Sequence, residues 1–215
     1  MNISVLLADD HAIVRDGLRL LLEAQPDIRV VGDADDGREA VRQTLQLCPD
    51  VAIIDIAMPN LNGIEAARQI HEACPCVQVI VLSMHSTSEH IFQALQAGAR
   101  GYLLKESAGA EVVAAIRAVQ AGRRYLSQKI SNQAIDDYLR RREAATGPLD
   151  RLSPREWEVL QLVVEGKSSA EIADMLCLSP KTVETYRSRL MRKLGLDNLP
   201  DLVKFAVQHG LTPPA

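Results

Sequence analysis

Through residue 121 the chain alternates short apolar runs with amphipathic stretches of helical period. The runs are 3–8, 28–34, 51–54, 77–83 and 101–104, and the stretches lie near 11–24, 38–47, 63–73, 87–97 and 108–121. Five βα units in a row predict a doubly wound parallel sheet covered by helices on both faces, because each helix returns the chain to the edge where the next parallel strand starts. Breakers fall where helices should stop: Gln25-Pro26, Cys48-Pro49 and Ala97-Gly98. Hydrophobic content of 47% suffices for a packed core, and with only two Phe that core must be aliphatic.

Acidic residues follow two of the strand candidates. Asp9 and Asp10 come after Ile3–Ala8, and Asp55 comes after Val51–Ile54. Ligands of an open parallel sheet gather at the carboxyl ends of its strands. Three carboxylates brought there repel one another, and burial raises their pKa values. A divalent cation relieves that conflict, and Mg²⁺ suits a few carboxylates with water and phosphate oxygens. One carboxylate could then accept a phosphoryl group. Ser83 ends the fourth run, Lys105 follows the fifth, and Met58-Pro59 and Gly63 follow Asp55. By type, a hydroxyl can donate to a phosphoryl oxygen and a lysine can neutralise the added charge of about −1.5 to −2.

The array Asp9-Asp10, Asp55 with Met58-Pro59 and Gly63, Ser83, Tyr102 and Lys105 resembles the receiver domain of bacterial two-component response regulators, over roughly the first 120 residues. The resemblance implies a flavodoxin-like five-stranded sheet with Asp55 as phosphoacceptor. It implies Asp10, Asp55 and the Ala57 carbonyl as Mg²⁺ ligands, with Asp9 acting mainly through water. Ser83 would move toward the phosphoryl group, and the position of Tyr102 would report activation.

From Gly122 the alternation stops. Residues 122–148 read as a partly helical linker, with the charge run Arg140 to Glu143 and then Ala144 to Pro148. The domains expected are therefore 1–121, a linker 122–148, and 149–215. The charge is uneven: 9 Lys+Arg against 16 Asp+Glu in 1–121, 6 against 3 in 122–148, and 9 against 9 beyond. Four helices are expected in the rear domain: Pro154–Glu165, Ser168–Leu176, one from Pro180 to Leu194, and Leu199–His209. Ser179 is a good N-cap and Pro180 suits the first helical position. The short connection Cys177-Leu178 gives helix-turn-helix spacing, and the helix after it is basic. Val183, Leu190 and Leu194 are spaced for its core face, Ile172 and Ala173 pack the two helices, and Trp157 is expected in the core or at a domain contact.

Residues 152–206 resemble the LuxR-type four-helix DNA-binding domain. The resemblance rests on Leu152 to Glu156, Val159-Leu160, Glu165-Gly166, Glu171-Ile172-Ala173, Leu176, Ser179 to Val183, and Lys193-Leu194-Gly195. The whole chain is thus similar to NarL/FixJ-type response regulators. Two positions depart: Glu184 stands where the family often has Lys, and Tyr186 where it often has His. Resemblance and helix phase assign Glu184, Thr185 and Ser188 to base edges, where Glu can accept from cytosine N4. Lys181, Thr182, Tyr186, Arg187, Arg189, Arg192 and Lys193 are the phosphate candidates, some of which must face elsewhere.

The function expected is a DNA-binding transcription regulator switched when a partner histidine kinase phosphorylates Asp55, with promoter DNA as its target; phosphorylation either improves homodimerisation or releases a contact between the receiver and the DNA-binding domain. The resemblance makes helices 11–24 and 108–121 the dimer faces. Two other readings stay open: a regulator that binds DNA without phosphorylation and uses the receiver as a dimerisation scaffold, and an aspartyl-phosphate enzyme. Such phosphatases often need a second acid two residues after the nucleophile, and that position is Ala57, so a metabolic enzyme is not expected. No apolar run approaches the ~20 residues of a membrane span, and the chain starts as a strand rather than a signal peptide. The expected location is the cytoplasm, without membrane partners. The four cysteines match no redox or zinc pattern and read as free structural thiols.

Overall fold

A computed structural model describes residues 2–130 and 149–209. Two compact units divide the chain, Met1–Glu143 and Ala144–Ala215. In the first, the alternation becomes β1 (Ile3–Ala8), α1 (Ala12–Glu23), β2 (Ile28–Ala34), α2 (Gly37–Leu47), β3 (Val51–Asp55), α3 (Gly63–Ala73), β4 (Gln78–Ser83), α4 (Ser88–Gln96), β5 (Gly101–Leu104), α5 (Ala108–Gln120) and β6 (Tyr125–Leu126). All strand pairs are parallel, in the order β2-β1-β3-β4-β5-β6.

Strand side chains alternate between two cores. Val5, Leu7, Ile53, Ile80, Leu82 and Leu103 meet Leu18 and Leu22 of α1 and Val112, Ala115, Ile116 and Val119 of α5. Leu6, Ala8, Ile54, Val79, Val81 and Tyr102 meet Ala40 of α2, Ile64 and Ile70 of α3, and Ile91 and Phe92 of α4. Burial of both faces of β1, β3, β4 and β5 explains why they read as nearly continuous apolar runs, whereas the edge strand β2 exposes Arg29 and Asp33.

The sheet has six strands where five were expected. Tyr125 donates its backbone N–H to the Arg100 carbonyl (3.0 Å), and Ser127 donates to Tyr102 (2.9 Å), so the chain leaving α5 covers the open edge of β5. Two residues are too few to show a strand period, which hid β6 inside the expected linker. Beneath it the buried Glu111 carboxylate accepts from Ser127 Oγ (2.9 Å), Tyr125 Oη (3.2 Å) and the Gln128 N–H (3.1 Å). Ile130 closes the core at this edge. Residues 122–130 therefore belong to the sheet-bearing unit. The rest of the expected linker, 131–148, lies outside the described residues.

The second unit opens with a 3₁₀ turn, Leu149–Arg151, and holds α6 (Pro154–Val164), α7 (Ser169–Leu176), α8 (Pro180–Leu194) and α9 (Leu199–Gln208). Each start is capped by its side chain: Ser153 and Ser168 form reciprocal capping boxes with Glu156 and Glu171, and Ser179 and Asn198 accept from the N–H groups of Thr182 and Asp201. Cys177, with φ of 53°, reverses the chain between α7 and α8, and Leu178 donates to the Ala173 carbonyl (2.8 Å). Trp157, Ile172, Ala173, Val183 and Leu190 are buried together, with Leu194 against them.

Candidate functional site

The strand order changes direction between β1 and β3, and the crevice outside their carboxyl ends is where this architecture binds ligands. Asp9 and Asp10 leave β1 there, and Asp55 is the last residue of β3. Asp9 and Asp55 are 1% and 2% exposed, so both carboxylates have lost their water. Lys105, delivered by the end of β5, holds them together. Its Nζ lies 2.8 Å from Asp9 Oδ2 and 2.8 Å from Asp55 Oδ2. Those two oxygens find no other polar partner among the described residues. Burial pushes the Asp55 carboxyl up to about 6, against the pull of Lys105 and with help from Asp9 and Asp10. Burial acts to lower the Lys105 pKa, but the charges and hydrogen bonds of Asp55 and Asp9 outweigh it, and the ammonium is held above its ordinary range.

Asp10 is half-buried at the rim. An Asp just before a helix would ordinarily cap it, but here His11 takes the N-cap position without a side-chain cap. Asp9 Oδ1 instead receives the His11 N–H (2.9 Å), and Asp10 Oδ1 sits 2.6 Å from His11 Nδ1. Asp10 thus spends nothing on the helix. Ligating atoms of Asp9, Asp10, His11 and Asp55 lie within 4.8 Å of one another. Buried oxygens with a lysine as their one partner, beside a rim carboxylate, fit a hard divalent cation. His11 was not among the residues expected here, and its only sequence signal is its place after the Asp pair.

Ala57 is half-buried on the loop after β3, and Met58 is buried beyond it. This loop is pinned at both ends. A Cβ on Gly63 would lie 1.9 Å from the Asp55 carbonyl, and one on Gly37 would lie 1.9 Å from that of Leu61. Asn60, with φ of 64°, donates from Nδ2 to Asp36 Oδ2 (3.0 Å), the residue that caps α2. Ser83 ends β4, buried, with Oγ accepting from the His85 N–H (2.9 Å). Tyr102 is fully buried and donates its hydroxyl to the His85 carbonyl (2.7 Å). Burial, above all, holds that hydroxyl well above its ordinary range. Ser83, His85 and Tyr102 thus form one hydrogen-bonded chain.

On the second unit, Lys181, Glu184, Thr185, Ser188, Arg189 and Arg192 line one shallow groove along α8. All six are exposed. Glu184 accepts from Ser169 Oγ of α7 and lies 3.9 Å from Arg187. Thr182 is half-buried, with its hydroxyl against the Ser179 cap (2.8 Å), and Tyr186 packs on the core. Lys193 turns inward: its Nζ donates to Glu156 Oε2 (2.5 Å) and to the Arg151 carbonyl (2.8 Å). That pairing offsets burial of Glu156, whose carboxyl is held below its ordinary range. Of the expected phosphate contacts, Lys193 is therefore committed to joining α8 to α6.

Comparison with known proteins follows the same division. Residues 5–117 match the family model for the response regulator receiver domain. Residues 150–206 match that for bacterial regulatory proteins of the luxR family. The chain is 35% identical over 213 residues to the oxygen regulatory protein NreC of Staphylococcus epidermidis, covering 96% of this chain and 98% of NreC. It is similar to Salmonella typhimurium RcsB, with a TM-score of 0.67, 31% identity and 98% of each chain covered. RcsB of Salmonella enterica serovar Typhimurium bound to promoter P1flhDC in the presence of the phosphomimetic BeF3− gives a TM-score of 0.64 at 30% identity, covering 100% of both chains.

Proposed function

We propose how this chain works from one premise: it belongs to the LuxR-type two-component response regulators, transcription regulators that bind DNA and carry a receiver domain for control by phosphorylation. On that premise a sensor histidine kinase is the phosphoryl donor and Asp55 the acceptor. A carboxylate oxygen of Asp55 attacks phosphorus, the bond to the kinase histidine nitrogen breaks, and the electron pair leaves with that nitrogen. Lys105, already against Asp55, stays beside the new charge. Mg²⁺ held by Asp10, Asp55 and the Ala57 carbonyl, with Asp9 through water, would neutralise charge on the phosphoryl oxygens. The observation that carries this reading is the Lys105 ammonium at 2.8 Å from two dehydrated carboxylates.

The switch follows from the hydrogen-bonded chain. A phosphoryl oxygen is a stronger acceptor partner for the Ser83 hydroxyl, and drawing Ser83 inward breaks its bond from the His85 N–H. The loop at His85 then moves, and Tyr102 moves with the carbonyl it holds. That change favours a homodimer, and two α8 helices read two half-sites of promoter DNA. The structure of RcsB bound to promoter P1flhDC supports promoter DNA as the partner. Glu184, Thr185 and Ser188 face base edges, and Lys181, Arg189 and Arg192 face phosphates. No helix among the described residues is long and apolar enough to cross a membrane, and the chain works where the DNA is, in the cytoplasm. It is a stoichiometric acceptor, not a metabolic enzyme.

The test is intact mass after incubation with Mg²⁺ and a small phosphodonor, beside Asp55→Asn, followed by DNA affinity. One phosphoryl group on the wild type alone, with tighter DNA binding, is expected. Equal phosphorylation of Asp55→Asn, or DNA affinity indifferent to phosphorylation, would overturn the reading.

A further inference from the structure

Three of the four cysteines gather at the end of the sheet opposite the acidic pocket. Cys48 is the C-cap of α2, in a left-handed conformation with φ of 44°, and Cys74 is the C-cap of α3. The two helices lie side by side on one face of the sheet, so their caps adjoin. Cys76 follows two residues later, just before β4. Cys48 and Cys76 are exposed, and Cys74 is half-buried against the core. The Cys74 thiol has the Cys48 and Cys76 thiols as its neighbours, and Cys48 Sγ donates to the Leu45 carbonyl (3.6 Å). The three sulfurs do not form one coordination sphere: among the described residues, only the acidic pocket places three or more ligating side chains within 4.8 Å of one another. A metal is thus the poorer occupant, and a pairwise reaction the better one.

We propose that Cys48 and Cys74 form a redox-active dithiol, which closes to an intramolecular disulfide between the C-terminal caps of α2 and α3 on meeting a low-molecular-weight disulfide. The exposed Cys48, as thiolate, attacks one sulfur of that disulfide. Its S–S bond breaks, and one small thiol leaves, taking up a proton. Cys74 then gives its proton to solvent and attacks the Cys48 sulfur of the mixed disulfide, which releases the second small thiol. Two protein thiols are oxidised and one donor disulfide is reduced to two thiols. Burial, followed by its neighbouring thiols, holds the Cys74 thiol above its ordinary range. Cys74 therefore attacks slowly on its own and suits the second, intramolecular step.

The position gives the bond a consequence. Asp36 at the start of α2 holds Asn60, and α3 starts at the same loop, with Asn62 as its cap. A bridge between the far ends of these helices fixes, relative to each other, the two elements that flank the phosphoacceptor loop. Cys177 lies in the other unit, exposed, and serves as an internal control.

The test treats the folded full-length chain with oxidised glutathione and maps the monomer by mass spectrometry. The expected product is two hydrogens lighter, retains no glutathione and reverts with dithiothreitol. Trypsin cuts at Arg68, so a Cys48–Cys74 bond joins two peptides, whereas a Cys74–Cys76 bond stays within one. Cys76→Ser and Cys177→Ser should still close the bond, and Cys48→Ser and Cys74→Ser should not. Glutathione retained on Cys48 without an internal bond, a Cys74–Cys76 bond, or only disulfide-linked dimers would overturn the proposal. The wild-type map and its survival in Cys76→Ser decide the outcome even if a variant at a helix cap fails to fold.

Discussion

Asp55 carries a cost that the fold accepts for the sake of its chemistry. Burial pushes its carboxyl from the ordinary 3.8 up to about 6, because burial opposes its charge more than Lys105 favours it. Between those values the folded chain keeps a proton that the unfolded chain has lost. The group's contribution to stability is therefore whole below the unfolded value and is lost as pH rises through about 6. Asp55→Asn removes the penalty and should stabilise the protein at neutral pH by roughly 1–3 kcal/mol, with the gain vanishing at about pH 4. Thermal melts of both forms across that range check this, and an equal gain at both ends would break the link. Glu184 gives a second prediction at this scale. Ser169 orients its carboxylate, and a carboxylate in the major groove accepts from cytosine N4. Glu184→Ala should flatten a preference for one C·G pair by about 1–3 kcal/mol. Selection from a randomised half-site reads this directly, and an unchanged base preference would leave Glu184 a mere clamp between α7 and α8.

Among the elements, β6 shows how a short strand can be held by side chains rather than by its own length. Two residues cannot secure an edge, but Glu111 on α5 gathers Ser127, Tyr125 and the Gln128 N–H beneath it. Glu111→Ala should cost about 1.5–3 kcal/mol, the worth of hydrogen bonds to a charged group. It should also release the amides of residues 125–130 to faster hydrogen exchange, while β1 and β3 stay protected. Uniform loss of protection would mean that the strand is no separate unit of stability. None of this was visible in sequence, because Glu111 sits in a helix whose period only marks a buried face. The longer elements were legible for the opposite reason. Strands buried on both faces must be apolar throughout, and helices must change face every 3.6 residues, so composition along the chain follows geometry.

For the whole molecule, the acidic front and the basic α8 divide the labour between two units. DNA affinity should fall steeply with salt, since phosphate contacts release counterions. Arg189→Ala should weaken binding to all sequences alike and lower the slope of log affinity against log salt by about one, whereas Glu184→Ala should leave that slope nearly unchanged. Titrations at several salt concentrations separate the two. The order of elements, the strand ends bearing Asp9, Asp10, Asp55, Ser83 and Lys105, and the helix-turn-helix spacing were all determined by the sequence itself, because each depends on local period or on the position of a residue within its element. Tertiary structure alone decided that Lys105 bridges Asp9 and Asp55, that Lys193 turns to Glu156 and away from the groove, that β6 closes the sheet, and that Cys48 meets Cys74. Those residues lie 24 to 96 positions apart. Which partners meet over such separations is settled by how the helices and strands pack, and no local pattern encodes it.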